Sequence, residues 1–220
     1  MLFDIGANLT HSDFKDDLQT VLDRAKTASV LQMAVTGASL EGSKQAIALS
    51  EQFEGLYATV GVHPHHAEEI NDETLQMLAA LARSPSVVAI GETGLDYFRS
   101  EGAQDWQKDR FAVHIAVGKA LQKPVIVHCR HAAADTVEII KTEGAHECGG
   151  VMHCFAEDWA TAREVIDQGF YISFSGILTF KNRASSSFCS SYGLGTGAEI
   201  NFSTVFVWPI PYGEAADPWQ

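Results

Sequence analysis

Nowhere in these 220 residues do two cysteines stand in a C-x-x-C pair. The four present are Cys129, Cys148, Cys154 and Cys189, so a zinc ribbon and a thioredoxin-type motif are both excluded. A reduced, cytoplasmic protein is expected from this usage. No apolar run reaches the length of about 18 residues that a membrane-spanning helix needs, so no membrane association is expected. Met1 to Ile5 carry no basic residue ahead of their apolar ones and read as a buried first strand, not as a secretory leader. Positive charge is scarce too: 15 Lys and Arg stand against 28 Asp and Glu, a net charge of −13. Such a chain lacks the broad basic surface that grips a nucleic-acid backbone. A polyanionic substrate would have to be held through divalent cations that bridge carboxylates to phosphate oxygens. Nothing implies a stable protein partner or sets an oligomeric state.

Apolar residues are plentiful, at 46% of the chain, enough for a sizeable core. Runs suited to strands cover 2–5, 31–36, 56–62, 87–92, 124–128, 149–153 and 170–175. Between them lie amphipathic segments at 14–28, 41–53, 73–83, 103–121, 133–143 and 158–168. Asn71-Asp72-Glu73 marks a helix start. Strand then helix, repeated, implies parallel strands joined by right-handed crossovers. The expected fold is α/β, a TIM-like (β/α) barrel with about seven regular βα units and an irregular or incomplete eighth. Polar residues at many strand ends favour the barrel over an open sheet, whose ligand crevice is local. The core is expected over 1–182. From Arg183 to Gln220 the helical period vanishes in favour of serine and glycine, with 202–208 as a less regular strand.

Four of the apolar runs lead into a potential metal ligand: His63, Glu92, His128 and His153. A buried parallel strand reveals its first soluble side chain at its carboxyl end, where α/β folds bind ligands. Glu92 can bridge two divalent ions, and such a pair can clamp the attacking and leaving oxygens of a phosphodiester. His128 and His153 supply neutral imidazoles. His63 can ligate a metal or donate a proton beside a phosphate. His65 and His66 read as solvated. Arg130 can grip a phosphate with its planar fork or form a surface ion pair. Asp96 can orient Arg130 or a substrate sugar, or cap a loop. Cys129 and Cys154, each next to a candidate ligand, read as small side chains packed behind the site.

Taken together, Asp4-Ile5-Gly6-Ala7-Asn8-Leu9, Gly61-Val62-His63-Pro64, Ala89 to Tyr97, Lys123 to Arg130, Met152-His153-Cys154-Phe155 and Tyr171 to Gly176 resemble the TatD family of metal-dependent deoxyribonucleases. The resemblance covers 1–182 in family order. It implies an amidohydrolase-type barrel that hydrolyses DNA phosphodiester bonds, often as a 3′–5′ exonuclease. One or two divalent ions are implied, Mg2+ first, with Mn2+ or Zn2+ as alternatives. Residue by residue, Glu92, His128 and His153 match family metal ligands, and His63 matches a family active-site histidine. The catalytic set is then Glu92, His63 and Arg130.

The chain departs from the family pattern in two ways. Gly6 and Asn8 stand where many members carry a His-x-His pair, as in one branch of the family. The family's Glu-Thr-Asp segment, whose Asp binds metal, has no counterpart here. A shifted reading frame within 183–220, or disorder there, is the expectation for this atypical segment. Loss of a positioned base costs about 100- to 10,000-fold, so this form is expected to be impaired. The alternatives are amide or lactone hydrolysis on the same barrel, and a non-catalytic truncated product.

Overall fold

A computed structural model describes residues 2–69, 71–100, 104–175 and 206–208. Seven parallel strands follow one another around a single sheet: β1 (Leu2–Ala7), β2 (Val30–Val35), β3 (Leu56–Val60), β4 (Val87–Asp96), β5 (Val125–Arg130), β6 (Gly150–Met152) and β7 (Phe170–Phe174). An eighth, β8 (Phe206–Trp208), pairs antiparallel with β7 and also approaches β1, so the sheet curls into a nearly closed barrel. This is the TIM-like architecture expected from the alternating pattern.

Six helices occupy the crossovers: α1 (Leu18–Thr27), α2 (Leu40–Gln52), α3 (Asp72–Leu81), α4 (Asp105–Leu121), α5 (Ala133–Thr142) and α6 (Trp159–Asp167). Three of them start on side-chain caps. Ser39 Oγ accepts from Gly42 N at 3.0 Å, Asn71 Oδ1 from Thr74 N at 2.9 Å, and Asp158 Oδ1 from Thr161 N at 2.8 Å. Each cap contributes about 1 kcal/mol. Strand residues such as Ile90, Val60 and Val125 are buried, and α4 lays Phe111 and Ile115, both fully buried, against β4. Burying one such side chain stabilises the fold by about 1.5–3 kcal/mol.

Several boundaries moved. The helix expected over 14–28 begins only at Leu18, because His11 Nδ1 accepts from Asp13 N and turns Ser12–Phe14 into a 3-10 segment. β4 does not end at Glu92. It runs on to Asp96, after a register break between Ile90 and Thr93. The glycines on either side of Glu92 interrupt the apolar run, so the pattern stops early. β5 likewise extends past His128 to Arg130, whereas β6 stops at Met152. Residues 176–205 and 209–220 lie outside the described residues, and with them the expected boundary at 182, the shifted frame and most of the atypical segment.

Candidate metal centre

Glu92 owes its position to backbone geometry. Gly91 adopts φ +146°, and a Cβ there would meet the carbonyl oxygen of Ile126 at 2.6 Å, so only glycine fits. The break in register turns Glu92 out of the ladder, and its N–H donates to Gly37 O at 2.9 Å. Its carboxylate then meets two imidazoles: Oε1 lies 3.3 Å from His128 Nδ1 and 3.8 Å from His63 Nε2. Burial alone would raise its pKa. The hydrogen bond from His128 and the charges of His153, His63 and His128 outweigh this and hold it at about 2. Glu92 is therefore a carboxylate at any working pH.

His63 follows β3 in a loop whose backbone fixes its ring. His63 N donates to Ala38 O at 2.9 Å, and the N–H of His65 donates to His63 Nδ1 at 3.1 Å. An Nδ1 that accepts has no proton, so neutral His63 carries its proton on Nε2, the nitrogen nearer Glu92. Burial pushes its pKa down to about 3, against the opposing pull of Glu92. The ring stays neutral.

Behind His128 stands Asp96, the last residue of β4, whose side chain is 0% exposed. Its Oδ2 lies 3.0 Å from His128 Nε2 and 2.6 Å from His65 Nε2, while Oδ1 accepts from Arg99 N at 2.9 Å. Burial raises its pKa, but these three hydrogen bonds bring it to about 2. The sequence offers Asp96 three roles: orienting Arg130, orienting a substrate sugar, or capping a loop. It does tie the loop, but its imidazole partners are His65 and His128. His65 is exposed, in line with its reading as solvated, and its ring is in addition held by Asp96. Nitrogens of His63, His65 and His128 all lie within 4.8 Å of one another, a grouping able to hold a metal ion.

His153 follows β6, its N–H bonded to Val127 O at 2.8 Å. Its Nε2 sits 3.1 Å from Cys154 Sγ, so Cys154 faces this imidazole and does not pack behind the site. Cys129 does pack behind, taking a hydrogen bond from Thr136 Oγ1 at 3.5 Å, and burial raises its thiol to about 12. Burial would lower His153; Cys154, Glu92 and Asp4 outweigh it and favour positive charge there, at about 9. Its Nδ1 is buried with no hydrogen-bond partner among the described residues. A bound cation would give that nitrogen a partner and supply the charge that Glu92 and Asp4 favour, so the donor set fits a divalent ion. Arg130 lays its guanidinium over the ring of Phe98, 4.0 Å from the centroid.

The family model for TatD related DNase matches residues 3–190. This chain belongs to the TatD family. It is 40% identical over 182 residues to the uncharacterized metal-dependent hydrolase YabD of Bacillus subtilis, a match covering 83% of this chain and 71% of YabD. It is 40% identical over 175 residues to the 3'-5' ssDNA/RNA exonuclease TatD of Cronobacter turicensis, covering 80% of this chain and 66% of that protein. Among solved structures it is similar to YjjV, a TatD homologue from Escherichia coli K12. That match has a TM-score of 0.79 and 27% identity over 84% of this chain and 72% of YjjV. The chain thus spans about two thirds of the length of these TatD relatives. Its Gly6 lies against His153: a Cβ on Gly6 would come within 2.2 Å of His153 Cε1. That space is what admits the imidazole. Among the described residues no helix is long and apolar enough to cross a membrane.

Proposed function

We propose that this chain is a divalent-metal-dependent phosphodiesterase that releases nucleotides from the 3′ end of single-stranded DNA. The observation that carries this reading is the ionised Glu92 carboxylate set between the imidazoles of His63 and His128 at the barrel mouth. The Cronobacter turicensis relative, whose name includes 3'-5' ssDNA/RNA exonuclease, supports the direction and substrate. Glu92, His128 and His153 hold the ion or ions, and Asp96 orients His128 through Nε2. An ion held there supplies Lewis acidity toward phosphate oxygens and a nucleophile at neutral pH. Imidazole-rich donors suit Zn2+ better than Mg2+ or Mn2+, which prefer oxygen ligands.

His63 keeps a proton on Nε2 throughout the physiological range. That N–H donates to a phosphate oxygen as charge develops on it, a fixed donor with no reorganisation to make. Arg130, beyond His128 on the same strand, engages a neighbouring phosphate. The test is hydrolysis of end-labelled single-stranded DNA with Mn2+, Mg2+ or Zn2+, beside simple esters, amides and lactones. Stepwise shortening from the 3′ end, cut at least 100-fold by Glu92→Ala, is the expected result. Turnover of lactones or amides without DNA cleavage would replace the reading with the second hydrolase class, and metal binding without any turnover with a non-catalytic one.

A further inference from the structure

Phe98 is the most exposed large apolar side chain among the described residues, at 52%. It stands two residues beyond Asp96, at the same barrel mouth as the candidate metal centre. Arg130 places its guanidinium 4.0 Å from the ring centroid, and the His131 ring meets Phe98 edge-on, 5.2 Å between centroids at 83°. Three π-faced or planar cationic groups are thus gathered at one exposed point of a chain whose net charge is −13.

The cluster is built on rigid backbone. Asp96 Oδ1 accepts from Arg99 N, and Ser100 Oγ donates to Asp96 O at 2.7 Å, which closes the turn carrying Phe98. Tyr97 N donates to Arg130 O at 3.0 Å, which ties that turn to β5. His131 is held at φ +56°, a conformation uncommon for a residue with a Cβ. Such strain persists only where the surroundings enforce it. Asp96 therefore serves both features: one oxygen fixes the aromatic turn and the other takes His65 and His128.

We propose that Phe98, Arg130 and His131 form a stacking platform for one unpaired nucleobase next to the metal centre. This rests on the phosphodiesterase reading and names what lies beside the scissile bond. Every base has a π-face, so an exposed phenylalanine accepts any of them, and a guanidinium stacks and attracts the adjoining phosphate at once. The strand rise of about 3.3 Å per residue puts Arg130 about 7 Å beyond His128. A base paired in a duplex has no free face to offer, so the platform selects single strands.

The experiment measures binding in a Glu92→Ala background, where substrate is not consumed. Dye-labelled oligothymidylate is compared with an abasic oligomer of the same length by fluorescence anisotropy. Phe98→Ala is expected to weaken oligothymidylate binding by about 5- to 150-fold while affecting the abasic oligomer far less, and Phe98→Trp to restore it. Equal losses on both oligomers, no loss on either, or no measurable binding of oligothymidylate would overturn the platform. The two proposals separate cleanly. DNA cleavage by the unmodified chain with base-independent binding sinks the platform alone. Base-dependent binding without any cleavage sinks the phosphodiesterase reading alone.

Discussion

His114 Nε2, buried in α4, accepts a hydrogen bond from the backbone N–H of Val62 at 3.1 Å, one residue before His63. Its other nitrogen lies 2.7 Å from Arg110 O and donates to it. One fully enclosed imidazole thus joins α4 to the loop that presents a candidate catalytic histidine. Replacing it by leucine would fill the space yet leave the Val62 N–H unsatisfied. His114→Leu is expected to lose about 1–3 kcal/mol of stability at neutral pH, read by urea denaturation.

The same residue makes stability depend on pH. Burial lowers its pKa below the ordinary 6.5, against the opposing hydrogen bond to Arg110 O. The folded state therefore keeps His114 neutral while the unfolded chain takes up a proton. Its contribution is complete above 6.5 and declines as pH falls. Unfolding midpoints should drop from about pH 7 to pH 5, and the gap between the parent and His114→Leu should narrow over that interval. A constant gap would contradict this.

Gly6→Ala tests the space beneath His153. Gly6 has no left-handed backbone to excuse it, so any effect comes from the 2.2 Å approach of the new Cβ to His153 Cε1. The imidazole must move. Affinity for Mn2+ or Zn2+, measured by calorimetry, should fall about 10- to 100-fold while the circular dichroism spectrum stays native.

Asp96→Asn keeps an oxygen for Arg99 N but sets an amide where Oδ2 receives His65 and His128. An amide N–H2 cannot accept from either ring. A further loss of metal affinity of about 10- to 100-fold is expected, with unchanged affinity counting against the role given to Asp96.

Metal should stabilise the fold. At about 100 times its dissociation constant a bound ion contributes about 2.7 kcal/mol, which for a chain of this size raises the melting temperature by about 5–11 °C. Glu92→Ala and His128→Ala should abolish the shift. His146→Ala, in the turn between α5 and β6, should retain it.

Much of this was readable along the chain. The seven apolar runs became β1 to β7, and Asn71 caps α3 as its position implied. Glu92, His63 and His128 do converge, because each follows or interrupts a run that must be buried in a parallel sheet. The roles of His65 and Asp96 were not readable. His65 sits in a polar loop among other histidines, and its partner is 31 residues away. Asp96 hid because β4 continues through two glycines that look like a strand end.

The order of strands and helices, and the types of side chain delivered to the barrel mouth, followed from the sequence alone. Both depend on local periodicity, which burial on two faces or on one face writes directly into the residues. Only the folded chain decided that His114 lies under Val62, that His153 rests on Gly6, and that one aspartate holds both the imidazoles and the Phe98 turn. Those contacts join residues on different elements, and their partners are set by how strands twist and close, not by any spacing within a segment.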